Sequence, residues 1–326
     1  MRFHWFLPTT GDGHAVRNST IRLGTGGVTS PTRPATLGYL AQVARAAEAT
    51  GFTGVLTPTG SGCPDPWITC AALTQHTDRL KFLVAFRPGF VLPTLAAQQA
   101  RAFQEISGDR LLLNVVTGGD PVEQRAYGDF LGHDDRYART DEFLDVLRRS
   151  FSGERFDFTG RHYRVQDAGP TDPLDPAPEI YFGGASAPAE RVASARADTY
   201  LMWGEPPAMI AERIERVRSL AAGQGRSVRL GIRLHVIARD TSAEAWREAD
   251  RLLSGMDPAR IEAMQHYYAR MESVGQARMA ALHGGSPRAL EVAPNLWAGV
   301  GLVREGAGTA LVGDYDEVAR RLQEYR

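Results

Sequence analysis

The chain has 326 residues, 43% of them hydrophobic, enough to bury the core of one barrel-sized domain or two ordinary ones. With 37 basic against 38 acidic residues and no block of like charge, it lacks the electrostatic footprint of a nucleic-acid binder, and no apolar run approaches a membrane span. Two cysteines, Cys63 and Cys70, are too few for a disulfide scaffold or a structural zinc site, and Pro8 ends the short apolar start, so a metal-free protein of the cytoplasm is expected. Lys81 is the single lysine and follows no glycine, which excludes a phosphate-binding P-loop.

Short apolar runs alternate with helical patterns from end to end. Residues 3–7 read as a strand and, after a long loop, 37–50 as a helix with apolar residues at helical spacing. Then come strand 54–57 with helix 67–75, strand 82–86 with helix 95–106, and strand 111–116 with helix 141–151. Strand 180–182 with helix 190–195, strand 200–203 with helix 208–222, and strand 230–237 with helix 243–253 complete seven units. Such alternation implies parallel strands joined by helical crossovers. Polar or glycine-rich segments follow nearly every strand, as at the functional end of a (β/α)8 TIM barrel, and no linker divides the chain. A doubly wound sheet is the second choice, but no Gly-x-Gly-x-x-Gly follows a strand. Two insertions interrupt the barrel: residues 154–178, hairpin-like around Thr159-Gly160, and residues 256–294, polar and methionine-rich, expected to be a mobile lid.

Arg233 and His235 sit two positions apart in a run that should be buried, so on one strand they share a face. A second apolar run, residues 295–303, ends at Arg304. A buried cation is costly unless an anion meets it. One such arginine suggests a local carboxylate partner; Arg233, His235 and Arg304 together suggest a pocket for an anion.

These motifs carry a family resemblance. Phe6-Leu7-Pro8-Thr9, Gly11-Asp12-Gly13-His14, Thr59-Gly60 with Cys63 behind it, Trp203-Gly204-Glu205-Pro206-Pro207, the run 231–236, Ser273-Val274-Gly275-Gln276 and the run 295–313 resemble the flavin-dependent alkanesulfonate monooxygenases of the bacterial luciferase-like superfamily, along almost the whole chain. The resemblance implies an interrupted TIM barrel that uses FMNH2, delivered by a separate NAD(P)H-dependent flavin reductase, and O2 to split a C–S bond, giving an aldehyde and sulfite. It implies a dimer or tetramer. It gives Arg233, His235, Arg304 and Cys63 as catalytic residues. Flavin contacts fall to Thr59, Ala85, Asn114, His133, Tyr137, Gly184 and Ser186, and substrate contacts to Thr10 and Trp203 with the two arginines. Read on its residue type alone, Cys63 is equally a small buried hydrophobe.

Two departures stand out. Thr10 replaces a histidine of the family, and the loop 15–34 is longer and rich in Thr, Gly and Arg, both pointing to a more polar sulfonate such as a sulfonated sugar. The family also continues past the position of Arg326 with an eighth strand and an active-site tyrosine, so that strand is expected outside these 326 residues. Alternative readings are an oxygenase for a sulfone or other non-sulfonate substrate, and a non-catalytic flavin-binding protein.

Overall fold

The computed structural model describes residues 1–16, 32–169 and 172–326; most of the loop 15–34 therefore lies outside the described residues. Along the chain run β1 (His4–Phe6), α1 (Leu37–Ala49), β2 (Gly54–Thr57), α2 (Pro66–Leu73), β3 (Lys81–Phe86), α3 (Pro93–Ser107), β4 (Leu111–Val115), α4 (Pro121–Ala126) and α5 (His133–Arg149). There follow β5 (Phe156–Thr159), β6 (Arg164–Ala168), β7 (Glu179–Gly183), α6 (Ala187–Arg196), β8 (Thr199–Trp203), α7 (Pro207–Ala222), β9 (Arg229–Arg233), β10 (His235–Arg239) and α8 (Ser242–Ser254). The chain continues through α9 (Pro258–Tyr268), α10 (Val274–His283), β11 (Glu291–Ala293), β12 (Leu296–Trp297), β13 (Ala310–Asp314) and α11 (Tyr315–Glu324).

Seven strands form one parallel sheet in the order β1-β2-β3-β4-β7-β8-β9. Side chains alternate between its two faces. Val55, Phe82, Val84, Leu111, Leu113, Ile180, Phe182 and Tyr200 point outward into the main core with Leu40, Ala44, Phe103, Phe143 and Val217 of the helices. Leu83, Leu112 and Tyr181, with Leu56 and Leu201, form a separate plug on the concave face. The sheet curls until its edges approach. Arg2 beside β1 and Arg229 of β9 both reach Glu179 of β7, at 3.1 and 2.7 Å, and the Arg233 guanidinium of β9 lies 4.3 Å from the Phe6 ring of β1. No strand joins β1 to β9 among the described residues, so the sheet is barrel-like but not closed by hydrogen bonds.

Two segments differ from the sequence reading, and a third holds elements it did not place. The run 230–237 is not one strand. It breaks at Leu234, β9 pairing with β8 and β10 with β13. The Leu234 side chain sits where a Cβ on Gly204 would be, and Gly204 N–H binds the Arg233 carbonyl at 2.9 Å, which fixes the bend. Helix α5 starts at His133, eight residues before the expected position 141, because its first turns carry charge rather than an apolar stripe. Residues 256–294 hold α9, α10 and β11, and they are fastened to the barrel loops. The Tyr267 hydroxyl donates to Asp120 (2.7 Å), Glu272 N–H to the Gly119 carbonyl (2.9 Å), Arg136 to Glu272 (2.7 Å) and Arg278 to Glu205 (2.7 Å). Within the segment read as hairpin-like, β5 and β6 pair antiparallel between Phe156 and Ala168.

At the base of the barrel His4 packs against Tyr181, with ring centroids 5.8 Å apart, and its Nδ1 is buried without a hydrogen-bond partner. Burial, and then the positive charge of Arg2, hold its pKa down to about 4; Lys81 adds to this and Glu179 opposes it. The unfolded chain therefore binds this proton at higher pH than the folded one. The contribution to stability is fully present above about pH 6.5 and is lost as pH falls toward about 4, up to roughly 3 kcal/mol in all. Urea midpoints measured across that window should fall less steeply in His4→Gln than in the native chain; parallel curves would show that other groups dominate.

Candidate active site

Two clusters occupy the C-terminal end of the barrel. The first is built on the edges of the sheet. Phe6 closes β1, and the guanidinium groups of Arg233 and Arg304 lie 4.3 and 5.3 Å from its ring centroid. Two cations thus share one aromatic ring. Arg233 Nη2 and Arg304 Nε are buried with no hydrogen-bond partner. Burial, and next the charge of Arg304, press the Arg233 pKa down to about 9, with Glu305 opposing; burial lowers that of Arg304 as well. Both remain cations at neutral pH. An arrangement with unpaired N–H groups and like-charge repulsion is costly unless an anion enters.

His235 stands beside them on the other side of the break. Its Nε2 donates to the Ala307 carbonyl at 2.9 Å, which leaves Nδ1 as the acceptor in the neutral ring. Burial, Arg304 and Arg233 hold its pKa well below the ordinary value. It is a neutral ring and a weak base. The Cys63 thiol completes this side. Burial pushes its pKa up to about 11, and the neighbouring Thr9 hydroxyl opposes that only in part, so the group is a thiol rather than a thiolate at neutral pH. The loop that carries it is held by Glu123, which accepts the Ser61 N–H at 2.7 Å and pairs with Arg87.

The second cluster lies at the ends of β4 and β7, in the middle of the sheet and so across the barrel mouth from its edges. Ser186 caps α6, its hydroxyl accepting from Ala189 N–H at 3.4 Å. Tyr137 is nine-tenths buried, which raises its pKa, and the Ser186 and Thr117 hydroxyls near its own act in the opposite sense. His133 stands against the Tyr137 ring at 4.9 Å, one helical turn earlier on α5, so the pair shares a helix face. Gly184 has φ +149°, and a Cβ there would stand 2.6 Å from the Ala189 Cβ and 3.1 Å from the Tyr137 hydroxyl. Hydroxyls gathered at the N-terminus of a helix are groups of the kind that can hold a phosphate. Gly184→Ala should crowd them. The expected result is a loss of stability of roughly 1–3 kcal/mol together with weakened FMN binding, read by thermal denaturation and flavin fluorescence titration.

Between the clusters, Ala85 and Asn114 are register partners on β3 and β4 and so share a face. That face carries Leu83 and Leu112 two residues earlier, so it is the concave one. Thr59 and Thr10 lie, partly buried, on the loops after β2 and β1. Trp203 ends β8 with its ring against Gly275 of α10, where an added Cβ would come within 3.0 Å. Phe6, Glu305, Thr117 and Tyr268 were not singled out in the sequence. Phe6 was visible only as part of a motif, and nothing in the polar stretch around Tyr268 marked it. Among the described residues no group of three or more His, Cys, Asp or Glu is placed to hold a metal ion, and no helix is long and apolar enough to cross a membrane.

A family model of luciferase-like monooxygenases matches residues 1–326. The chain belongs to the luciferase-like monooxygenase family. Solved structures of similar fold include riboflavin lyase with modified FMN and riboflavin, at 20% identity and a TM-score of 0.78 over 100% of this chain and 84% of that one. The EDTA monooxygenase from Chelativorans sp. BNC1 matches at 20% identity and a TM-score of 0.78, over 100% of this chain and 85% of that one. A long-chain alkane monooxygenase matches at 18% identity and a TM-score of 0.74, over 100% and 84%. At these identities the likeness speaks to fold, and the substrate has to be read from the site.

Proposed function

We propose that the chain is the oxygenase of a two-component system, taking FMNH2 from a separate NAD(P)H-dependent reductase and using O2 to desulfonate an organosulfonate. The balanced reaction converts R–CH2–SO3⁻, FMNH2 and O2 into R–CHO, bisulfite, FMN and water. The observation that carries this reading is the pair of partnerless guanidinium atoms, on Arg233 and Arg304, over the single ring of Phe6. With His235 neutral, the two guanidinium cations offer charge complementary to an anionic sulfonate.

The cradle of Tyr137, Ser186 and the α6 N-terminus fits the phosphate of FMN, and Ala85 and Asn114 share the concave face that a flat ring would meet. Reduced FMN, when bound, supplies the two electrons with which O2 is activated. Arg233 and Arg304 hold the sulfonate oxygens and favour departure of the sulfur group as an anion. His235, fixed through Ala307, orients the arginines' side of the pocket and offers Nδ1 as an acceptor. The Cys63 thiol and the Trp203 ring wall the site against water. A neutral sulfone would leave both guanidinium groups unmatched, which disfavours the second reading. A flavin carrier would need the phosphate cradle but not a separate anion pocket.

The deciding experiment supplies a flavin reductase, NADH and FMN, and screens alkyl, methane and sugar sulfonates for sulfite release. Sulfite from one of these classes supports the proposal. Turnover of a sulfone alone, or flavin binding with no sulfite from any sulfonate, overturns it.

A further inference from the structure

We infer that Tyr268 sets specificity in the Arg233–Arg304 pocket, donating its phenol O–H to the third oxygen of a sulfonate and so selecting sulfonates over carboxylates. The inference rests on the anion-pocket reading above. Tyr268 is 5% exposed, and its hydroxyl is buried without a hydrogen-bond partner. Its place is fixed by α9. Gln265, three residues earlier and on the same helix face, donates to the Leu302 carbonyl at 3.1 Å, two residues before Arg304. Tyr268 therefore faces the segment that bears the arginine, and the two groups act on one another electrostatically. The adjacent Tyr267 is anchored separately, through Asp120 at 2.7 Å, so the turn holding Tyr268 does not depend on its own hydroxyl.

The chemistry needs a third donor. A sulfonate presents three equivalent oxygens in a pyramid, a carboxylate two in a plane. Arg233 Nη2 and Arg304 Nε each supply one buried, unsatisfied N–H. Tyr268 supplies an O–H from a different element, α9, and adds no charge. Burial, and next Glu305, hold the phenol pKa far above its ordinary value, and it stays a donor at every working pH.

The test compares native protein, Tyr268→Phe and Arg304→Ala, each titrated anaerobically in the presence of FMNH2 with 1-butanesulfonate and with pentanoate, Kd being read by calorimetry. Tyr268→Phe should raise the Kd for butanesulfonate about tenfold and that for pentanoate less than about twofold, with an unchanged melting temperature. Equal weakening of both ligands, or of neither, while Arg304→Ala loses both, would overturn the role of Tyr268 and leave the pocket standing. If Arg304→Ala binds both ligands like the native protein, or the native protein binds no sulfonate, the pocket itself fails and the inference with it.

Discussion

Arg304→Ala is expected to lower kcat/KM for sulfite release by roughly 10- to 150-fold, the loss of about 1.5–3 kcal/mol for a charged hydrogen-bond donor. Arg233→Ala should do the same. Neither change should destabilise the fold. Each removes a cation that is partly desolvated, repelled by its neighbour over the Phe6 ring, and left with an unpaired N–H. Melting temperatures should hold or rise while turnover falls. Arg304→Lys keeps the charge but loses the Nε donor and the planar fork, so it should rescue only part of the activity. The pH profile gives an independent check. Arg233 carries its charge below a pKa of about 9 and loses it above, so kcat/KM in the native enzyme should fall as pH rises through that value. If activity and stability dropped together in both alanine variants, the arginines would be structural ion-pair partners instead.

The sequence exposed the alternation of strands and helices because each strand is covered on its outer face by helices and reads as a short apolar run, as at residues 82–86 and 111–115. Arg233 and Arg304 were legible for the opposite reason, as charges where apolar residues belong. The break at Leu234 was not, since it arises from a side chain packing over Gly204, a contact between strands far apart in sequence. The pairing of β10 with β13 was hidden in the same way, as seventy-odd residues separate His235 from Ala310. Phe6 gave no signal as a site residue, because an aromatic at the end of a strand is ordinary until two guanidinium groups are found above it. Helices α9 and α10 were lost to a weak pattern. Their buried residues are few and mixed, Met264, Tyr267 and Tyr268 on one and Gln276, Met279 and His283 on the other. What holds them is a set of polar fasteners that periodicity does not record.

The strongest of those fasteners is Glu205, and Glu205→Ala is expected to cost the most stability of any single change considered, roughly 3–5 kcal/mol. The side chain is 1% exposed. It accepts from Arg278 of α10 through two bonds of 2.7 Å and from Arg213 of α7 at 3.1 Å. Its backbone carbonyl takes the Tyr325 hydroxyl at 2.9 Å. Removing the carboxylate leaves Arg213 buried with Glu190, 3.7 Å away, as its counter-charge among the described residues. Arg278 is 30% exposed and can turn to water, so Arg278→Ala should cost far less, within about 1 kcal/mol. Urea denaturation of the two variants separates these expectations; equal losses would mean that the pair with α10, not the buried charge on α7, carries the energy. The two variants should agree in one respect. Glu205 follows Trp203 by two residues, and Arg278 sits one turn beyond Gly275, which packs on the Trp203 ring. Cutting this bond from either side frees α10 from the end of β8, so Trp203 fluorescence should become more accessible to quenchers in both. A glutamate that the sequence offered only as part of a site motif is therefore the joint that sets the insertion over the barrel mouth.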